Sequence, residues 1–210
     1  MNHTTMQTLP CRFPLSFLLL FAFAFFFSSC SESEEEESEF ANWQERNDSY
    51  FSDIYNRAVA NSSGEWKVFT QWSLNEEMAT SADDHIVVQV LQEGTGSGCP
   101  LYTDSVRIHY AGSLIPSRSY SDGYTFDKSW TGDTFVTAVA KPYTAKVSDF
   151  VDGFSTALQH MHIGDHWRVY IPYKLGYDDS ASGSIPAYST LVFDLILVAY
   201  NRPGAGAVSW

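Results

Sequence analysis

The sequence predicts an α+β fold, an antiparallel curved sheet wrapped around one short helix, with an N-terminal helical extension. Segments of period two outnumber helical ones, and no helical crossovers separate them, which argues against a parallel α/β sheet. The short segment 153–160 carries Phe154, Ala157 and Leu158, with Met161 just beyond, at i, i+3, i+4 and i+7, the stripe of a helix with one buried face. The segment 40–61 sets Phe40, Trp43, Tyr50, Phe51, Ile54, Tyr55, Ala58 and Val59 mostly at helical spacing.

In chain order, the 40–61 helix ends at Asn61-Ser62-Ser63-Gly64, a credible stop. Its apolar stripe packs against the domain or pairs with a second copy as a homodimer; both readings are open. A short strand lies within 65–74, and 75–84 is a polar connection. From His85 the period becomes two. Ile86, Val88 and Val90 share a face before Gly94-Thr95-Gly96 breaks the strand. Val106, Ile108 and Tyr110 alternate with Arg107 and His109, and Trp167, Val169 and Ile171 alternate with Arg168 and Tyr170. The segment 190–199 is apolar on both faces except at Asp194, as for a central strand covered on both sides. No internal repeat occurs.

The first 40 residues read differently. The run 15–27 is apolar except for Ser16 and follows Arg12. It is shorter than the ~18–20 residues a spanning helix needs, and fits the apolar region of a signal peptide over 1–29. Phe27-Ser28-Ser29-Cys30 resembles a bacterial lipobox, with Phe27 where Leu is usual, so Cys30 is the expected lipidation site and mature N-terminus. The alternative is ordinary cleavage that leaves Cys30 a free thiol. With Cys11 in the leader and Cys30 acylated, Cys99 is the cysteine that remains, and no internal disulfide is expected. The acylated Cys and acidic spacer occupy 30–39, where repelling glutamates bury nothing. This run resembles the acidic stretch after the acylated cysteine of surface-exposed lipoproteins in Bacteroides-like bacteria. The resemblance implies a cell-envelope protein, lipid-anchored to the outer membrane and displayed at the surface.

The chain of 210 residues has a formal charge of −13. Without Arg12 the exported part carries −14, of which six charges lie in the glutamate run and −8 elsewhere. Phosphate binding needs a basic surface, so no nucleic-acid partner is expected. There is no glycine-rich phosphate loop, CxxC pair, HExxH helix or nucleophile elbow. The densest ionisable cluster, His160, His162, Asp165 and His166, spans a helix end and a turn at no standard ligand spacing, so no metal is expected.

Aromatics at strand ends and in loops remain, and their order is informative. His109-Tyr110-Ala111-Gly112, Phe126-Asp127, Phe150-Val151-Asp152-Gly153-Phe154, Tyr177, Ile185-Pro186 and Leu191-Val192-Phe193-Asp194 follow one another along the chain. This series resembles the FK506-binding-protein (FKBP) family of peptidyl-prolyl isomerases. The similarity sets an FKBP-like isomerase domain at 83–201, after an N-terminal helix and connector at 40–82 and before a tail at 202–210. It implies an enzyme with no cofactor that acts on proline-containing peptide or protein segments and assists folding of exported or envelope proteins.

By the same resemblance, Tyr110, Phe126, Asp127 and Tyr177 are the catalytic candidates. Tyr143, Phe150, Val151, Phe154, Ile185 and Phe193 are the substrate-binding ones. Tyr177 would donate its hydroxyl to a substrate carbonyl, and Ile185 would close one edge with its backbone available to the peptide. Three positions depart from the family pattern. The pocket floor, often Trp, is Phe154; the arginine expected after Phe-Asp is missing, with Lys128 beside Asp127 and Gly132 near its place; and the loop 129–141 is longer than usual. These departures support the alternative of a non-catalytic FKBP-fold peptide-binding or chaperone module on the cell envelope.

Overall fold

The computed structural model describes residues 38–132, 134–136 and 139–204. The leader, the lipidation candidate Cys30 and the glutamates before Ser38 lie outside the described residues. Two α-helices and seven strands follow in order among the described residues. They are α1 Trp43–Ala60, β1 Trp66–Thr70, β2 His85–Gln92, β3 Ser105–Ser113, β4 Thr125–Lys128, β5 Tyr143–Lys146, α2 Asp152–His160, β6 His166–Ile171 and β7 Leu191–Asn201. All pairings are antiparallel, in the order β1-β2-β6-β7-β3-β4, with β5 also on β3. The predicted α+β architecture is the one found.

Each face of the sheet has its own helix. On one face α2 buries Phe154, Ala157 and Leu158 among Ile86, Val88, Val106, Ile108, Trp167, Val169, Leu195 and Leu197. On the other, α1 buries Phe51, Ile54 and Ala58 on Val87 and Tyr170, with Val192 packed beside them. Full burial of each large apolar side chain contributes roughly 1.5–3 kcal/mol. The neighbours Val87 and Val88 are both fully buried because the two faces of β2 meet different helices. Of the two readings of the 40–61 helix, packing on the chain's own sheet is seen for Phe51, Ile54 and Ala58. Val59 stays 62% exposed on α1. Among the described residues no helix is long and apolar enough to cross a membrane.

Two short strands depart from the sequence reading. β4 and β5 have four residues each, with mixed exposure. Four residues carry too little periodicity to be seen, and pairing with β3 is what makes them strands. The 190–199 segment was expected to be covered on both sides. β7 instead alternates buried and half-buried residues, with Asp194 in a bidentate pair with its cross-strand partner Arg168 at 3.1 and 3.2 Å.

The histidine cluster does structural work. His160 stacks on Phe69 with ring centroids 4.1 Å apart. Asp165 accepts the backbone N–H groups of Gly94 and His162, both at 2.6 Å, tying the β2 exit to the turn before β6.

Candidate active site

At the β3–β4 end of the sheet, the ring of Phe154 on α2 is 2% exposed. Phe150 stacks on it at 4.5 Å, and Phe193 of β7 meets it edge-on at 4.9 Å. Tyr110 approaches both Phe154 and Phe193 edge-on, at 6.2 and 6.3 Å, and Phe126 meets Phe193 at 5.6 Å. Edge-to-face rings at these distances add about 0.5–1.5 kcal/mol per pair beyond their buried area. Phe193 and Phe126 can converge because Gly112 of β3 lies beneath them. A Cβ at Gly112 would stand 2.5 Å from the Phe193 ring and 2.6 Å from Phe126.

These rings floor a cleft of about 630 Å³. All ten residues singled out from the sequence line it, namely Tyr110, Phe126, Asp127, Tyr143, Phe150, Val151, Phe154, Tyr177, Ile185 and Phe193. They come from β3, β4, β5, the turn before α2, α2, β7 and the loop 177–190 between β6 and β7 (the flap). Sequence reasoning missed Ala145, Asp149, Ser182, Gly183, Ser184 and Leu191, which line the same cleft. They are small, polar or aliphatic, and nothing local marks them as cleft residues.

The polar groups sit at the rim. The Tyr110 hydroxyl donates to Asp127 Oδ2 at 2.7 Å. Burial and then this hydrogen bond raise the Tyr110 phenol pKa, so the group stays a donor. Asp127 has no salt bridge among the described residues, because the neighbouring Lys128 ammonium donates to the Gly132 carbonyl and lies over the Trp130 ring. Asp127 therefore takes its hydrogen bond from a neutral phenol and not from Lys128. Tyr177 is 40% exposed, and its hydroxyl has no partner among the described residues. Tyr143 is 48% exposed and stands edge-on to Tyr110 and Phe150.

One expectation needs correction. The Ile185 N–H donates to Ser182 O, and the Ser182 N–H to Ile185 O, both at 2.9 Å. A tight turn through Gly183, at φ 59°, closes the flap tip on itself, so the Ile185 N–H is not open to a peptide. Phe154, expected as the pocket floor, lines the cleft and is also a core residue because α2 carries it into the ring cluster.

A closed aromatic floor under phenol and carboxylate groups at the rim fits the order of motifs in the sequence. Residues 99–198 match the family model of FKBP-type peptidyl-prolyl cis-trans isomerases. Over that span the chain is similar to that family. A macrophage infectivity potentiator of Trypanosoma cruzi is 32% identical over 141 residues, 67% of this chain and 65% of that protein. An FKBP-type 22 kDa peptidyl-prolyl cis-trans isomerase of Escherichia coli is 33% identical over 131 residues, 62% of this chain and 57% of that protein. The crystal structure of FkpA from Escherichia coli is similar at 25% identity and a TM-score of 0.54, over 77% of this chain and 62% of that one. The chain thus spans from under half to just under two thirds of the length of the curated FKBP relatives it matches first.

Proposed function

We propose that the cleft isomerises X–Pro peptide bonds in segments of exported or envelope proteins. The observation that carries this reading is a floor made of Phe126, Phe150, Phe154 and Phe193 beneath a rim with an unpartnered phenol, Tyr177. Rotation about a peptide bond meets a barrier of ~18–20 kcal/mol from lost resonance. The X–Pro isomers differ by only ~0.5–1 kcal/mol, so the obstacle is kinetic. A twisted amide is less dipolar than a planar one. A dry aromatic floor therefore disfavours the planar form relative to the transition state. Tyr177 holds a substrate carbonyl, while Tyr110, oriented by Asp127, presents its ring to the proline. No nucleophile or proton transfer is needed.

A protease-coupled or NMR exchange assay on X–Pro peptides with varied residues before proline tests the reading. Acceleration above the spontaneous rate is expected. Binding without acceleration would make the cleft that of a peptide-binding module and remove the enzyme.

The envelope setting rests on the apolar run 15–27, the lipobox-like residues before Cys30 and the acidic spacer, which fit a surface-displayed lipoprotein form similar to those of Bacteroides-like bacteria. A relative from Legionella longbeachae, 32% identical over 115 residues, is an outer membrane protein by name. Cys30→Ser should release the protein from membranes or block its processing. Unchanged fractionation and migration would remove the lipid anchor. A homodimer through the 40–61 helix would use its exposed side, where Phe40 and Val59 lie, since Phe51, Ile54 and Ala58 pack on the sheet.

A further inference from the structure

We propose that α1 holds the flap of the cleft in place, with Trp43 and Asn47 as positioning residues for the segment 182–190. This deepens the isomerase reading and rests on it for its kinetic consequence, but the contact itself is independent of catalysis.

The Trp43 indole N–H donates to Ser189 Oγ at 2.9 Å, in a buried contact 146 residues apart in sequence. The Ser189 hydroxyl in turn donates to the Pro186 carbonyl at 2.6 Å. Two hydrogen bonds in series thus run from α1 to the residue after Ile185, which lines the cleft. Four residues along the helix, Asn47 is fully buried and accepts the Thr190 N–H at 2.7 Å. Its amide nitrogen donates to Trp43 O at 2.7 Å, which fixes the orientation of the amide and aims its oxygen at Thr190. The Trp43 ring lies between the edge of Phe40, at 5.0 Å, and the Arg46 guanidinium, at 5.1 Å.

The flap has other contacts too: Ile185 is buried in the core, and the Tyr188 ring meets Tyr173 edge-on at 5.4 Å. The flap tip closes on itself through Ser182 and Ile185, and Tyr188 N–H reaches back to Asp178 O at 2.9 Å. Asp178 and Tyr188 both adopt the left-handed backbone region, at φ 54° and 60°, which non-glycine residues enter only when their surroundings require it. The α1 contacts supply that requirement at the flap base, where Ser189 is 3% and Thr190 0% exposed. Water cannot replace the lost partner at such depth. A flap already ordered gives up less freedom when a peptide binds. The clamp touches no reacting bond, so it acts on substrate binding and leaves the chemical step alone.

The test uses the full chain. Trp43→Phe keeps a ring but deletes the N–H, Ser189→Ala deletes the relay hydroxyl, and Ser189→Thr retains it. Trp43→Phe, which loses one hydrogen bond, should raise amide exchange of Ile185, Tyr188 and Thr190 by about tenfold, and Ser189→Ala, which loses two, by at least as much. KM for an X–Pro peptide should rise by about the same order while kcat stays within about twofold. The double variant should be no worse than Ser189→Ala alone, and Ser189→Thr should match the parent. Unchanged flap exchange, or a rise spread evenly over the whole chain, would overturn the clamp. If flap exchange rises selectively but the parent protein shows no isomerase activity, the clamp stands and the isomerase reading falls.

Discussion

Tyr110 and Asp127 lie on adjacent strands, two residues out of register, and join through a 2.7 Å hydrogen bond from phenol to carboxylate. The bond crosses the mouth of the aromatic cleft and meets the aspartate's charge where no cation among the described residues does. It turns the Tyr110 ring toward Phe154 and Phe193 and gives its hydroxyl one fixed acceptor.

Tyr110→Phe should therefore lower kcat/KM for X–Pro peptides by about tenfold, the worth of one charge-assisted hydrogen bond. Because Asp127 is exposed, its carboxylate can turn to water. The melting temperature should move by no more than a few degrees, equivalent to about 1 kcal/mol. A collapse in stability without a kinetic effect on the folded fraction would make the pair a structural contact only.

Tyr177→Phe keeps the ring and deletes an unpartnered hydroxyl. Peptide binding should weaken by about 0.5–1.5 kcal/mol, seen as a two- to tenfold rise in KM, with an unchanged melting curve. Unchanged binding would mean that no substrate carbonyl reaches this group.

Phe154→Ala should lower stability by about 3–5 kcal/mol, because the lost ring is packed on three sides and leaves a cavity. Denaturant unfolding measures this directly. Peptide affinity should fall as well, since Phe150 and Phe193 lose the ring that holds them apart. A loss below about 1 kcal/mol would mean that the ring cluster closes up without it.

Acid should destabilise the fold well before its carboxylates titrate. Burial lowers the pKa of His109, His160 and His166 from the ordinary 6.5, with Arg107 adding to the effect at His109 and Arg168 at His166, where Asp194 opposes it. The unfolded chain then binds protons that the folded chain resists. Their contribution is complete above about pH 6.5 and is lost as pH falls toward the depressed folded values. The melting temperature should drop between about pH 7 and pH 5, and His160→Phe, which preserves a flat ring on Phe69, should flatten that slope. A flat profile in the parent protein would contradict the burial of these rings.

The periodicities of α1, α2, β2, β3, β6 and β7 were legible because each element buries a stripe or face over six or more residues, and that repetition is recorded locally. The ten cleft residues were legible for another reason. Their order along the chain resembles the FKBP pattern, although any single aromatic would pass as core. The sequence alone thus carried the α+β class, the family resemblance and the residues that meet in the cleft.

Tertiary structure decided what depends on partners far apart in the chain. β4 and β5 exist through pairing with β3. Phe154 is floor and core together because three rings from separate elements close over it. The pairing of the Ile185 N–H with Ser182, and the seating of Trp43 and Asn47 on Ser189 and Thr190, left no trace in the sequence. A hydrogen bond between residues 146 positions apart has no period, and serine, threonine and asparagine look alike whether they face water or a buried amide.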